Sequence, residues 1–85
     1  MKGFVEIIGI NSSFKELKNE SFNNCELKFN NGIHELILNN KKYLLDLKKT
    51  YILCDYLILE GLISDDSTSV GRISLKFIPK NLDIS

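Results

Sequence analysis

The chain has 85 residues, 44% of them hydrophobic and 26% charged, which is enough apolar material for one core and too little length for a second domain. Eleven basic residues balance eleven acidic ones, so no net field draws the whole molecule to nucleic acid or to an anionic membrane, and only local patches remain to be weighed. Alanine and tryptophan are absent while isoleucine and asparagine abound; without its best intrinsic former a helical bundle is disfavoured, and a mainly β (α+β) domain is expected.

Lys2 to Ile10 is rich in β-branched residues, with Phe4, Ile8 and Ile10 on one face and Val5 and Ile7 on the other. A strand covered on both faces is expected. Ser13 and Glu16 have the spacing of a capping box, and Phe14 and Leu17 lie one turn apart, which predicts a short helix ending near Ser21. Cys25, Leu27 and Phe29 then alternate with Glu26, Lys28 and Asn30, the period of a half-buried strand. Asn30-Asn31-Gly32 supplies a tight turn, and Ile33 to Leu38 comes next as the hairpin partner.

Asn39-Asn40 marks a second turn, beyond which Tyr43, Leu45 and Leu47 share a face opposite Lys42, Asp46 and Lys48. Thr50 to Leu59 has apolar residues at both parities: Ile52, Cys54, Tyr56 and Ile58 on one side, Tyr51, Leu53, Leu57 and Leu59 on the other. The expectation is a central or interfacial strand in which a bulge or bend turns Asp55 to solvent; the rival is a helix from Lys42 to Leu59, because so dense an apolar run does not fix its period. Ser64 to Ser69 reads as a solvated loop, and Ile73, Leu75 and Phe77 alternate with Arg72, Ser74 and Lys76 in a last strand that Pro79 ends. The expected architecture is thus five to six strands in a mostly antiparallel sheet or small barrel with one short N-terminal helix, spanning 1–79 as a single domain with 80–85 as a tail.

No pattern in the chain names a reaction. His34 is the only histidine, and in a strand its neighbour Glu35 points to the opposite face, so neither a catalytic triad nor a zinc-protease pair is formed. Two separated cysteines, Cys25 and Cys54, lack metal-ligand spacing. Asp65 and Asp66 lack the glycine and glutamate of a calcium loop, and no phosphate-cradling glycine motif occurs. No catalytic residue, metal or cofactor is expected, and the chain reads as a non-enzyme. The stretch from Tyr51 to Ile63, interrupted by Asp55 and Glu60, falls short of the roughly 20 apolar residues of a membrane span. With no signal-like leader and two free thiols, a cytoplasmic setting is expected.

The residues support two binding readings. The first is a small protein-protein interaction module: an apolar strand of two faces exceeds what one small core covers, so Tyr51, Leu53, Leu57 and Leu59 are candidate contacts to a protein partner or to a second copy in a homodimer. The weight on residues with AT-rich codons and the lack of catalytic groups fit an accessory protein of a phage or mobile element that inhibits a host protein by binding it. The alternative is a small β-barrel, of the OB or Sm-like kind, that binds single-stranded nucleic acid through Lys41, Lys42, Tyr43, Lys48 and Lys49, where cations attract phosphate and aromatic rings stack on bases.

Overall fold

The computed structural model describes residues 1–11, 14–18, 20–30, 32–65 and 70–80. Strands β1 (Lys2–Asn11), β2 (Ser21–Asn30), β3 (Ile33–Leu38), β4 (Lys41–Ile52), β5 (Leu57–Ser64) and β6 (Val70–Pro79) pair antiparallel in chain order, and β6 returns to β1 to close a six-stranded barrel. Closure pairs each of these strands with two neighbours, although β4 beyond Leu45 is laddered to β5 alone and keeps one open side there. The order is a plain meander rather than the Greek key of an OB fold.

Short turns fix the registers. Asn30 opposes Ile33 across a two-residue turn in which Gly32 has φ 82°, and Leu38 opposes Lys41 across Asn39 and Asn40, at φ 50° and 66°. Asparagine tolerates this left-handed region better than other residues with a side chain, and two successive positive φ angles match the right-handed twist of a hairpin. Asn31 lies outside the described residues, as do residues 66–69, where a solvated loop is expected, and 81–85, where a tail is expected.

Alternation in these registers sends one face inward. Val5, Ile7, Phe22, Cys25, Leu27, Leu36, Leu38, Tyr43, Leu45, Leu59, Ile63, Ile73, Leu75 and Phe77 fill the barrel, with exposures from 0 to 8%. So narrow a barrel is packed by its own side chains. Gly61 occupies an inward position where β5 crosses close to β4: a Cβ there would run into the Asp46 carbonyl and the Leu47 Cα.

Three expectations are corrected. The N-terminal helix is only a 3-10 turn, Lys15–Leu17, with no side-chain cap at Phe14, and Lys18 is already extended; Ser13, the expected cap, lies outside the described residues. One such turn suffices, because its i and i+3 side chains eclipse and so bring Phe14 and Leu17 to the same face, where both are buried. Strand β1 is not covered on both faces: the register slips between Ile7 and Gly9, leaving Ile8 53% exposed, while Ile10 turns inward opposite Ile73.

The third correction concerns Thr50 to Leu59, which is neither one strand nor a helix. Strand β4 ends at Ile52, the chain reverses over Leu53–Tyr56 with the Leu53 N–H donating to the Tyr56 carbonyl at 2.9 Å, and β5 starts at Leu57. The two halves pair with each other, Tyr51 opposite Ile58 and Ile52 opposite Leu57. Asp55 does face solvent, in the reversal itself.

Candidate functional site

The expected lysine and tyrosine cluster divides into two unrelated places. Strand β4 begins beside the 3-10 turn, where Lys41 Nζ lies 3.5 Å from Glu16 Oε2 and 3.5 Å from Asp65 Oδ2. Tyr43 points into the barrel at 2% exposure, its ring edge-on to Phe14 with centroids 5.9 Å apart, and its hydroxyl donates to Glu16 Oε2 at 3.1 Å. A ring so placed offers no face to a base. The Glu16 carboxyl is held below its ordinary pKa, chiefly by its own backbone N–H; burial opposes this, and the Tyr43 hydroxyl and the Lys41 ammonium add smaller lowering effects. This corner is a polar latch that closes one end of the barrel, with Lys41 engaged by two carboxylates. Lys42 is exposed opposite Ile37 on the outer wall, and Lys28, exposed on β2, is two strands away from β4.

Farther along β4 the register slips between Leu47 and Lys49, so that Lys48 and Lys49 are both exposed instead of alternating. Together with Arg72 of β6 they rim a depression of about 380 Å³ on the outer wall, over the place where Gly61 draws β5 toward β4. Leu62 and Ile73 contribute apolar lining, and Glu60 and Ser74 contribute polar groups, with the Ser74 hydroxyl donating to Glu60 Oε2 at 3.4 Å. Lys48 pairs with Asp46 at 3.1 Å, both side chains more than 60% exposed; so open a pair is worth little. Among the described residues Lys49 and Arg72 have no ion pair.

The four apolar candidates are also separated. Tyr51 is 45% exposed on the outer wall, Leu53 is 45% exposed in the reversal, Leu57 is half-buried, and Leu59 is a core residue at 2%. Leu59 therefore leaves the contact set. In its place Ile52, at 79%, is the most exposed large apolar side chain described. It pairs with Leu57 on the inward parity, but it stands on the stretch of β4 that β3 does not reach, and among the described residues it stays open to solvent. Beside its base a mouth of about 200 Å³ opens between Met1, Leu27, Leu47, Leu57 and Leu59, with Phe29 and His34 packed against each other at 4.9 Å among its lining residues.

Sequence reasoning missed Ile52 and Phe29 as surface groups, and it placed Arg72 on the polar face of the last strand without bringing it beside Lys48 and Lys49. That neighbourhood was detectable only through the β5–β6 register, which sets Arg72 opposite Leu62. Ile52 needed the position of the reversal.

Both cysteines are free, Cys25 buried and Cys54 exposed in the reversal. Burial raises the Cys25 pKa, only partly offset by a hydrogen bond from the Val5 backbone, and the thiol donates to the Phe22 carbonyl at 3.2 Å. Among the described residues no three His, Cys, Asp or Glu side chains gather as metal ligands, and no helix is long and apolar enough to cross a membrane. Set against family models, curated proteins and solved structures, the chain matches none, so the case for a function rests on its own geometry.

Proposed function

We propose that this barrel is a non-enzymatic protein-protein interaction module whose anchor is the β4–β5 hairpin tip. One observation carries the reading: Tyr51, Ile52 and Leu53 are consecutive, large and apolar, with exposures of 45, 79 and 45%, on a hairpin whose β4 arm has no β3 neighbour beyond Leu45. Tyr51 and Ile52 project to opposite faces of this hairpin and Leu53 lies in its reversal, so the tip exposes apolar surface on both sides, the kind of surface that another molecule covers. Buried anchors of this kind contribute most of the affinity of an interface. The proposal extends to a cytoplasmic setting, where both thiols stay reduced, and in its narrowest form to an accessory protein of a phage or mobile element that inhibits a host protein by occupying its surface; AT-rich residue usage supports that form. The covering molecule is a partner protein or, in a homodimer, a second copy.

The test is Ile52→Asp. Light scattering of the unmodified chain and a pull-down from the source cells report self-association and a stoichiometric partner, and the substitution abolishes whichever is present while thermal unfolding stays unchanged. A chain that is monomeric and whose captured proteins are the same with Asp at position 52 defeats the reading.

A second reading has its own support. The bulge that exposes Lys48 and Lys49 together sets them beside Arg72, with Tyr51 on the same outer face, the combination by which β-surfaces bind single-stranded nucleic acid. Binding of a labelled single strand that falls steeply with salt and disappears in the Lys48→Glu, Lys49→Glu double variant is the outcome this reading requires; absence of binding at low salt removes it.

A further inference from the structure

Resting on the interaction reading above, we infer that the depression on the outer wall of β4, β5 and β6 is the second half of the partner surface and takes an acidic segment of a protein partner, one in which carboxylates alternate with apolar side chains. The depression is built by two departures from regular strand geometry. The bulge at Lys48 turns two successive cations outward, and Gly61, which has no room for a Cβ, brings β5 down against β4 so that the wall dips between them. Arg72, opposite Leu62 in the ladder, stands on the far side.

Charge decides what fits. Lys49 and Arg72 have no ion pair among the described residues, and Lys48 shares only an exposed one with Asp46. The acid inside the depression, Glu60, accepts a hydrogen bond from Ser74. Three cations, Lys48, Lys49 and Arg72, thus stand against two carboxylates, Asp46 and Glu60, on this face, and the Arg72 guanidinium is suited to a bidentate carboxylate contact. Between the cations lies the half-buried Leu62, flanked by the aliphatic stems of the lysines, so a segment that brings aliphatic groups along with its acids gains apolar burial as well as charge pairing.

The same features disfavour a polyphosphate chain. Asp46 and Glu60 stay on this face and the molecule has no net positive charge, so an anion fits here best when its charges are spaced apart, as carboxylates alternating with apolar residues are and successive phosphates are not. A volume near 380 Å³ holds a few side chains rather than a run of nucleotides. The surface is also continuous with the anchor: Tyr51 lies two residues along β4 from Lys49, opposite Ile58, which is in turn opposite Lys76. The Lys76 ammonium sits 4.2 Å from the Tyr56 ring centroid at the base of the hairpin.

The experiment uses the full chain and four fluorescent probes: a short peptide alternating Glu with Leu, the same peptide with Gln for Glu, the same with Ser for Leu, and oligothymidylate. The Glu/Leu peptide binds at about 20 mM salt, weakens about tenfold or more by about 200 mM, and loses a similar factor in the Lys49→Glu, Arg72→Glu double variant, whose thermal unfolding is unchanged. The Gln and Ser peptides bind more weakly. Equal binding of the Gln peptide, no binding of the Glu/Leu peptide at low salt, or oligothymidylate binding at least as tightly through the same residues overturns the inference. Failure here is distinct from failure of the interaction reading, because an assembly lost in Ile52→Asp but retained in the Lys49→Glu, Arg72→Glu variant removes the acidic segment and keeps the anchor.

Discussion

The two ends of this barrel are finished differently, although the same alternating strands run into both. At the end where β1 leaves and β4 begins, the chain spends one 3-10 turn on a plug: Phe14 and Leu17 are buried at 4 and 1%, and Glu16 beside them receives the Tyr43 hydroxyl and the Lys41 ammonium. At the other end Met1 and Phe29, which line a small apolar mouth, are 61 and 68% exposed, and Ile52, opposite the mouth residue Leu57, is 79% exposed. A chain that seals one end with two side chains has the means to seal the other, and it has instead extended a hairpin there. The contrast separates a half of the molecule that serves folding from a half whose apolar surface awaits a cover.

The strongest way to break that contrast is to truncate one aromatic ring at each end. Phe14→Ala leaves a cavity under the plug and lowers the free energy of unfolding by about 3 kcal/mol or more, a large share of the reserve of so small a domain. Phe29→Ala removes a ring that is mostly in water and changes stability by about 0.5 kcal/mol or less. Urea denaturation of the two variants measures both. Similar losses would mean that the mouth contributes to the core as much as the plug does.

The polar latch sharpens the contrast at a smaller scale. Tyr43→Phe removes a hydroxyl that donates to Glu16 and lowers stability by about 1 kcal/mol. It also changes the response to pH. Because the folded state holds the Glu16 carboxyl below its ordinary value of 4.5, the unfolded chain binds the proton more readily. The latch therefore contributes fully above about pH 4.5 and is lost as the pH falls through the lower, folded value. Since Glu16 is half-exposed, solvent screens much of this effect. A stability profile between about pH 3 and 6 should be flatter in Tyr43→Phe than in the unmodified chain; superimposable slopes would show that Glu16 does not take its pKa from Tyr43.

Much of the barrel was legible in the chain, because its signals were local. Asn39-Asn40 and the glycine after Asn31 announce turns by backbone chemistry, and Leu27, Tyr43, Leu45, Ile73, Leu75 and Phe77 keep strict alternation. The features that escaped were signalled only by pairing. The reversal at Leu53-Cys54-Asp55-Tyr56 contains neither glycine nor proline nor asparagine, so three apolar residues concealed a turn inside an apolar run, and Tyr51 and Leu59 came to be assigned to one face. The bulges at Ile8 and Lys48 leave no mark in composition either, yet each inverts the parity of the strand residues beyond it. Of the candidate site the cations at positions 48 and 49 were visible, as was the apolar face that takes Tyr43 inward, but not that Arg72 would stand beside those cations.

The two cysteines give a chemical version of the same comparison. Cys54, exposed in the hairpin reversal, reacts with a thiol reagent under native conditions at close to the rate of a free thiol, whereas Cys25, buried and raised in pKa, reacts only as the barrel opens. One rapid equivalent and then a slow one that denaturant accelerates is the expected trace. Two rapid equivalents would place the β1–β2 seam, where Gly3 opposes Cys25, among the parts of the molecule that open easily.

The smallest effect on folding is expected at the residue most important to the proposed interface. Ile52 is 79% exposed and contributes one ladder position at the end of β4, so Ile52→Ser removes almost no buried area and alters the unfolding free energy by about 0.5 kcal/mol or less. A side chain that folding does not need, placed at the tip of a hairpin between Tyr51 and Leu53, is either incidental or an anchor, and stability data alone treat the two alike. The difference appears when stability and association are measured on the same variant. Loss of assembly at unchanged midpoint and slope in urea assigns the apolar tip to binding, whereas a midpoint falling by as much as that of Phe14→Ala would return Ile52 to the core and erase the distinction between the two ends.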